Sequence, residues 1–300
     1  MTNSILVAAI GFGVVSAATI ALAAIGFTLQ TGISNIFNFA YGDIMIGGSY
    51  AGYVVNQGGA GIAVSLLAGA AVGAVLSVLA NRVIFMRFLG RGVSRFGMLI
   101  VCLWTGVVFQ NILLAAFGDH FFSYNFTEGG PLKALRGSGL LLNETQVLVV
   151  VLTFLLIGLL YLFLEYSPLG QAMRATSSNS ALARISGINT ARIIDITWAL
   201  SGALCGLAGV VFAITVGAFQ STSGEGFLVI VFAATMLGGL GKPLGAALGA
   251  LIVGVSMEVL AVYIQSDIKE IAAFGVLVVL LVFRPQGLFG KGTSSQEAST

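Results

Sequence analysis

The chain has 300 residues, of which 58% are hydrophobic and 8% charged, and its mean hydropathy is +1.04. A soluble domain carries about 25% charged residues, so this composition excludes a soluble protein. The formal net charge of +2 is too small to indicate nucleic-acid binding, so no nucleic-acid partner is expected.

Successive apolar segments of about 20 residues predict an all-α, polytopic membrane protein with a single transmembrane domain over residues 1–300. A β-barrel would show alternating polarity instead. The first segment, Ile5 to Leu29, is predicted to be a span rather than a signal peptide, because no basic stretch precedes it and no cleavage site follows it. Nine spans are predicted, or eight if one broken segment is re-entrant, at 5–29, 36–56, 61–85, 97–117, 145–164, 193–217, 226–241, 244–264 and 270–284.

The second predicted span contains a polar, glycine-rich stretch that begins at Asn35 and runs on to Gly52. An intramembrane carboxylate costs about 2.5–3.5 kcal/mol on insertion scales, so it is rare unless it faces a cavity, a partner or a pathway. Because glycine-interrupted segments are also where transporter helices break, we expect a broken helix beside a translocation route. The alternative is an ordinary span with an interfacial carboxylate and glycines that only pack. The site residues predicted here are Asn38, Tyr41, Gly42 and Asp43.

Basic residues cluster in two connections and in the C-terminal tail, and the positive-inside rule places all three on the cytoplasmic side. They are Arg82, Arg87, Arg91 and Arg95, then Arg174, Arg184 and Arg192, and finally Arg284 and Lys291. The C-terminus is therefore predicted to be cytoplasmic. Two spans separate the basic connections, so the long loop between those spans, at about 118–144, is predicted to be external.

Two sets of three spans, within 5–85 and 193–264, resemble each other and predict an inverted repeat. Each set has a long apolar helix, then a polar, glycine-rich interruption, then a helix rich in small residues. The sets are an odd number of spans apart, so they would run in opposite directions, and pathways in such folds lie at the repeat interface. The second interruption, 220–226, adds Gln220 and Glu225 to the predicted pathway or broken-helix residues. Chance similarity between apolar segments is the alternative.

No catalytic or metal-binding set is visible in the sequence. His120 has no Cys, Asp or Glu at ligand spacing, and Cys102 and Cys205 lie in apolar spans without metal-type spacing. The stretch from Gly238 to Pro243 fails as a phosphate loop, because it lacks the first Gly and the Ser or Thr after the Lys. We therefore expect no ATPase site, cofactor or metal in this chain, and we do not expect an enzyme.

The connection at about 165–192 is predicted to be an ordered segment. Pro168 suits the first turn of a helix, and Gly187 suits a helix stop. Asn179 or Ser178 would cap a second short helix. Leu169, Ala172, Met173 and Ala183 could form an apolar stripe that faces a partner, so the segment predicts contact with a protein more than with lipid headgroups.

Four motifs follow one another along the chain. They are Asn38-Phe39-Ala40-Tyr41-Gly42-Asp43, Gly170-x-x-x-Arg174-Ala175 followed by Ile185-Ser186-Gly187-Ile188-Asn189, the stretch from Leu237 to Ala246, and the stretch from Arg284 to Gly290. Together they resemble the permeases of branched-chain amino-acid ABC importers, in particular the H-type subunit, over nearly the whole chain. Two features depart from the family: Tyr41-Gly42-Asp43 stands where His-Gly-Glu is common, and the external loop is idiosyncratic. Both leave the substrate open among branched-chain amino acids, urea, amides and other amino acids.

The resemblance implies a transmembrane permease subunit that moves branched-chain or related amino acids inward across the bacterial plasma (inner) membrane. It implies, besides membrane lipid, a second homologous permease, two cytoplasmic ATPase subunits that supply the energy, and an external substrate-binding protein. It also implies that the connection at 165–192 docks on an ATPase. The coupling residues implied are Gly170, Arg174, Ala175, Arg184, Gly187 and Ile188.

An ion- or proton-coupled secondary transporter is the alternative function, with Asp43 and Glu258 as its sites. Glu258 is the second carboxylate within a predicted span, and its alternative position is the outer membrane interface. The ordered connection favours the importer, because it suits an ATPase dock and is surplus for ion coupling. In an inverted repeat, Asp43 is predicted to brace the broken helix rather than to coordinate an ion.

Overall fold

The computed structural model describes residues 2–125, 130, 142–263, 275 and 288. These ranges are helical apart from turns, short extended segments and one antiparallel bridge between Phe122 and Phe219, so the all-α prediction is confirmed for them. The predicted span 270–284 (apart from residue 275), the motif at 284–290 (apart from residue 288) and most of the external loop lie outside the described residues.

Eleven α-helices are described, and a π-helical turn, Ala80–Phe85, joins the third to the fourth. The helices are α1 (Thr2–Ser34), α2 (Tyr41–Gln57), α3 (Ile62–Leu79), α4 (Met86–Gly90), α5 (Arg95–Phe117), α6 (Glu144–Tyr166), α7 (Pro168–Ser178), α8 (Ser180–Ile185), α9 (Thr190–Val216), α10 (Ser223–Gly238) and α11 (Pro243–Tyr263).

Six described helical segments are long and apolar enough to cross a membrane, so the predicted count of eight or nine is not confirmed. α2 and α10 have 17 and 16 residues. At 1.5 Å per residue each is about 25 Å long, less than a hydrocarbon core of about 30 Å. The six segments are Ile5–Ser34, Ile62–Gly90, Phe96–Phe117, Glu144–Tyr166, Thr190–Val216 and Pro243–Val262.

The boundaries of the broken segments differ from the predicted ones. α1 continues to Ser34 instead of ending at Leu29, and α2 begins at Tyr41 instead of residue 36. Asn35 has a φ of +52°, a left-handed conformation that Asn tolerates better than most residues, and it ends α1. Residues 35–40 of the polar stretch are therefore a separate non-helical link, and the rest of the stretch belongs to α2. In contrast to α2, α10 begins earlier than predicted, at Ser223 instead of residue 226.

α1 and α9 form the centre of the bundle: α1 packs on α9 and α11, and α9 packs on α2 and α3. Small residues permit these approaches. A Cβ added at Gly73 of α3 would lie 2.9 Å from Gly206 Cα of α9, and one added at Gly254 of α11 would lie 2.7 Å from Ala17 Cα of α1. Side chains larger than those present would force the helices apart.

The two ends of the bundle differ in chemistry. At the basic end, Arg82 Nη2 and Asp195 Oδ2 form a salt bridge of 2.7 Å that joins the π-helical turn to α9. At the opposite, aromatic end, six ring side chains cluster where α2 and α5 meet the segments that follow α5 and α9. They are Tyr50, Tyr53, Phe117, Phe122, Tyr124 and Phe219.

Candidate functional site

Two non-helical segments, 35–40 and 217–222, lead into the short helices α2 and α10. In the first, Asn38 Oδ1 accepts a hydrogen bond of 3.0 Å from the backbone N–H two residues later. In the second, the Gln220 N–H donates to Ser223 Oγ at 3.1 Å. Local polar contacts therefore hold both helix starts, and the predicted residues Asn38 and Gln220 belong to these links.

The N-termini of α2 and α10 meet at Gly42 and Gly224. A Cβ added at Gly224 would lie 2.6 Å from the Gly42 carbonyl oxygen, and a Cβ added at Gly42 would overlap the Gly224 carbonyl oxygen. The same Cβ at Gly42 would lie 3.1 Å from Leu228 Cβ, and that at Gly224 would lie 3.1 Å from Ile46 Cγ1. Each helix start thus lies beside the first turns of the other helix, an approach that only glycine permits.

The contacts of Tyr41 show where along the bundle the N-termini of α2 and α10 meet, a place that we call the junction. The Tyr41 ring packs edge-on against Phe27 of α1, with ring centroids 5.4 Å apart. Its hydroxyl donates to the Ala23 carbonyl oxygen at 3.0 Å, and its own carbonyl accepts from the Cys205 thiol at 3.2 Å. Because Ala23 and Cys205 lie well inside the long helices α1 and α9, the two N-termini meet at membrane depth and not at either end of the bundle.

Asp43 and Glu225 are each the third residue of their helix, and both face α5. A Cβ added at Gly106, at the midpoint of α5, would lie 2.8 Å from Asp43 Oδ2. One turn further along α5, Gln110 Nε2 donates to Glu225 Oε1 at 2.9 Å. The two carboxylates therefore lie about one helical turn apart along the same side of α5.

The surroundings of the two carboxylates differ. Asp43 is 5% exposed, and its Oδ1 accepts no hydrogen bond from any residue that the structure describes. Glu225 is exposed, and Gln110 is partly buried. We call Asp43, Gln110 and Glu225 the junction patch: a buried carboxylate beside an exposed one at membrane depth.

Glu258, the other candidate carboxylate, belongs to a different contact. Ser16 Oγ of α1 donates to Glu258 Oε1 of α11 at 3.0 Å. Asp43 faces α5 instead, so the two acids considered for an ion site have different neighbours. Across the described ranges, no group of three or more His, Cys, Asp or Glu side chains is placed to hold a metal ion.

The predicted coupling segment forms the short helices α7 and α8, and each begins with a side-chain cap. Ser167 Oγ accepts from the N–H three residues later at 2.9 Å, and Asn179 Oδ1 does the same at 3.0 Å. Pro168 is the first residue of α7, and Gly187, after α8, has a φ of +86°. The predicted helix start at Pro168 and cap at Asn179 are therefore confirmed.

Gly170 and Arg174 both contact the C-terminal end of α6. A Cβ added at Gly170 would overlap the Leu164 carbonyl oxygen, and Arg174 Nη1 donates to that same oxygen. Arg174 also donates to the Glu165 carboxylate and to its backbone carbonyl, each at 3.2 Å. A cation at a helix C-terminus is favoured by the helix dipole, so these two residues brace α7 against α6.

The predicted partner-facing stripe is wrong for Met173 and Ala183, because both are buried within the chain. The exposed apolar surface of α8 was not identified from the sequence. Ile185 is 82% exposed and Leu182 is 57% exposed, and they lie three residues apart on the same face. Their spacing was the available signal, because two large apolar residues on a short, capped, extramembrane helix indicate a contact surface. Of the other predicted coupling residues, those exposed are Ala175, Arg184 and Gly187, and the one partly buried is Ile188.

α7 also contacts α1 at the basic end. Ser177 Oγ donates to the Gly32 carbonyl oxygen at 2.6 Å. The turn between α10 and α11 joins the same region, because the Gly241 N–H donates to Thr28 Oγ1 at 2.8 Å. α1 therefore connects the coupling segment to Tyr41 and so to the junction of the two short helices.

Three residues of the junction were missed by sequence reasoning: Gly224, Gly106 and Gln110. The polar pair Gln110-Asn111 inside an otherwise apolar span was a usable signal, since polar residues in spans face partners or cavities. Gly224 lies within the predicted interruption 220–226 but was not singled out there. Gly106 carried no signal, because the chain has 41 glycines and the neighbours of Gly106 are distant in sequence.

Comparison with known proteins gives a consistent family. The family model for the permease component of branched-chain amino acid transport systems matches residues 9–283. The chain is 31% identical to the high-affinity branched-chain amino acid transport permease BraD of Pseudomonas aeruginosa and 29% identical to LivH of Escherichia coli K12, in each case over 93% of this chain and 94% of the relative. It is 28% identical to the ribose import permease RbsC of Escherichia coli K12, over 87% of this chain and 80% of the relative. No solved structure matches. The chain is a multi-pass membrane protein that belongs to the family of branched-chain amino acid transport permease components.

Proposed function

We propose that this chain is the transmembrane permease subunit of an ATP-binding-cassette importer that moves branched-chain or related amino acids inward across the inner membrane. The observation that carries the proposal is the family match over residues 9–283. The stretch from Gly238 to Pro243 lacks the residues of a phosphate loop, and the energy is proposed to come from ATPase partners. The same match speaks against an ion-coupled secondary transporter, and the contacts described for Asp43 and Glu258 are with different helices, α5 and α1.

The partners proposed are a second homologous permease, two cytoplasmic ATPases and an external substrate-binding protein. The capped helices α7 and α8 support an ATPase dock, because exposed Ile185 and Leu182 offer apolar anchors on a braced segment. Positive-inside sidedness assigns the basic end, with Arg82 and Arg174, to the cytoplasm. The C-terminal tail, with Arg284 and Lys291, is assigned to the same side.

We propose that the coupling segment acts on the junction through α1 and α6. Movement of α7 would pull on α6 through Arg174 and on α1 through Ser177. α1 in turn holds Tyr41 of α2. The bundle then rocks around the junction, where Asn38, Tyr41, Gly42, Asp43, Gln220 and Glu225 border the pathway shared with the second permease.

We also propose that α1–α3 and α9–α11 form an inverted repeat. In this repeat α1 corresponds to α9, α2 to α10 and α3 to α11. The contacts support the correspondence: α1 packs on α11 as α9 packs on α3, and α1 packs on α10 as α9 packs on α2. Gly42 and Gly224 would then lie near the axis that relates the halves. Each short helix together with its non-helical link would complete one crossing, giving eight crossings within the described residues; the predicted span 270–284 lies outside them, apart from residue 275.

Reconstituted transport tests this function. The chain is purified with its permease, ATPase and binding-protein partners, placed in proteoliposomes, and supplied with radiolabelled leucine. We expect uptake that requires ATP and all partners and stops when the ATPases carry an inactivating substitution. Leucine uptake by the isolated chain under an ion gradient, without ATP, would contradict the importer and favour a secondary transporter.

A further inference from the structure

The junction patch presents a polar surface at a depth where lipid would be its neighbour in an isolated chain. Glu225 is exposed there, although a carboxylate facing the bilayer centre costs about 2.5–3.5 kcal/mol. Carboxylates within spans face a bundle interior, a partner or a water-filled cavity. The junction patch therefore faces the second permease or water, and not lipid.

The buried carboxylate of Asp43 indicates that a ligand binds at the junction patch. Asp43 is 5% exposed, and its Oδ1 has no hydrogen-bond partner in the described part of the chain. A buried polar atom without a partner costs about 1–3 kcal/mol, and more when it is charged. Such a group persists where a ligand supplies the missing donor. Asp43 lies beside α5 at Gly106, one turn from Gln110, so its neighbour in the patch is Glu225.

The negative charge of the two carboxylates and the number of hydrogen bonds they accept indicate which ligand fits. Two carboxylates one helical turn apart along α5 attract a cation. Among the described residues, no group of three or more His, Cys, Asp or Glu side chains is placed to hold a metal ion. An ammonium group donates three hydrogen bonds and carries one charge, so it suits two carboxylates and an amide. Gln110 holds one oxygen of Glu225 toward α5 and so fixes the direction of that carboxylate.

We propose that Asp43 and Glu225 form a water-accessible site for the ammonium group of the transported amino acid, at the place where α2 and α10 meet. The proposal rests on the proposed importer function for the identity of the ligand. The existence of a cation-selective, water-filled site does not depend on that function, so the two are tested separately.

Thiol labelling tests the site without transport. Cys102 is replaced by Ala and Cys205 by Ser, and Leu103→Cys then serves as a reporter, because Leu103 is half-exposed and lies one turn before Gly106 on the same side of α5. We measure its reaction rate with a cationic trimethylammonium-ethyl thiosulfonate and with an anionic sulfonato-ethyl thiosulfonate, each normalised to a free thiol in solution. We expect the normalised rate ratio to favour the cation by about tenfold, because clefts lined by one charge concentrate the opposite charge.

A matched reporter and a charge variant control this measurement. Val108→Cys lies between Gly106 and Gln110 in the sequence but on the opposite side of α5, and it is expected to react slowly with both reagents, with no preference. Adding Glu225→Gln to the Leu103→Cys reporter should bring the ratio down toward that of the free thiol. A reporter that is inaccessible, or accessible with no cation preference, would overturn the proposal.

Uptake tests the ligand. In the reconstituted complex, Asp43→Asn and Glu225→Gln should each lower leucine uptake at least about tenfold, because each removes one of the two charges that bind the ammonium group; a tenfold loss corresponds to about 1.4 kcal/mol. Asp43→Glu should keep most of the activity. Glu258→Gln, which removes an intramembrane carboxylate elsewhere, should leave uptake unchanged. Wild-type uptake by both neutral variants would overturn ammonium recognition, whereas a cation-selective reporter in a complex without any ATP-dependent uptake would count against the importer function alone.

Discussion

Gly42 of α2 and Gly224 of α10 lie backbone against backbone, with 2.6 Å between the Gly42 carbonyl oxygen and the position that a Cβ would take at Gly224. Two short helices thus meet at their N-termini inside a bundle of longer ones. The arrangement puts the first-turn acids Asp43 and Glu225 on the same side of α5. The two proposed ammonium ligands are close together because of this contact.

Gly42→Ala and Gly224→Ala should each destabilise the folded protein. The added methyl group would overlap a backbone carbonyl or nearly so, and overpacking of a well-packed core costs about 1–3 kcal/mol. We expect a melting temperature lower by several degrees in detergent, measured by the loss of the monodisperse fraction on heating. Gly158→Ala is the control, because a Cβ at Gly158 of α6 meets open space. Equal melting temperatures in all three variants would show that the two helices do not meet as described.

Arg174→Glu should release α7 from the end of α6. The substitution removes the hydrogen bonds to Leu164 and Glu165 and places a second anion beside them. Since the side chain is half-exposed, we expect the local free energy of unfolding of α7 to fall by about 1 kcal/mol. Amide hydrogen exchange in 168–178 should then be about fivefold faster. Arg184→Glu, a charge reversal on the exposed face of α8, should leave exchange in α7 unchanged. Identical exchange in both variants would contradict the bracing role.

Ile185→Asp should weaken the association with the ATPase without preventing membrane insertion. The side chain is 82% exposed on a braced segment, and an apolar anchor at the centre of an interface contributes about 2 kcal/mol or more. We expect affinity for the ATPase to fall about thirtyfold in a pull-down titration, with a matching loss of uptake. Ile185→Val should bind nearly as the wild type. Unchanged co-purification of the Asp variant would place the docking surface elsewhere.

Tyr124 should make stability depend on alkaline pH. Burial raises the pKa of its phenol well above the usual value of about 10, and the hydroxyl donates to the Ser49 carbonyl oxygen at 2.6 Å. The folded state therefore keeps the proton where the unfolded state loses it. The free energy of unfolding should be steady up to about pH 10 and fall above it.

Thermal unfolding between about pH 8 and pH 11 measures this effect, and Tyr124→Phe is the matched control. The Phe variant should be less stable near neutral pH, because it lacks the hydrogen bond, but it should lose less stability above about pH 10. Because all other titrating groups are shared, the difference between the two profiles isolates Tyr124. Parallel profiles would contradict the raised pKa.

Local features of the sequence predicted the local features of the structure. The apolar segments predicted an all-helical membrane protein, because the length and hydropathy of a helix are written within one continuous stretch. Pro168 and Asn179 predicted the starts of α7 and α8, since a cap joins residues only a few positions apart. The helix boundary at Asn35 was missed, because its left-handed conformation is not encoded in hydropathy.

The site depended on contacts between distant residues, and only the tertiary structure decided them. Gln110 and Glu225 are 115 positions apart, and nothing near either one specifies the other. The sequence marked Gly42 and Asp43 as unusual, as a polar interruption in an apolar span must be. It could not show that the interruption ends in a backbone contact with Gly224, because the chain has many glycines and close packing selects the pair in three dimensions. Membrane class, family and caps were thus determined by the sequence alone, whereas the meeting of the two half-length helices was determined by how the bundle packs.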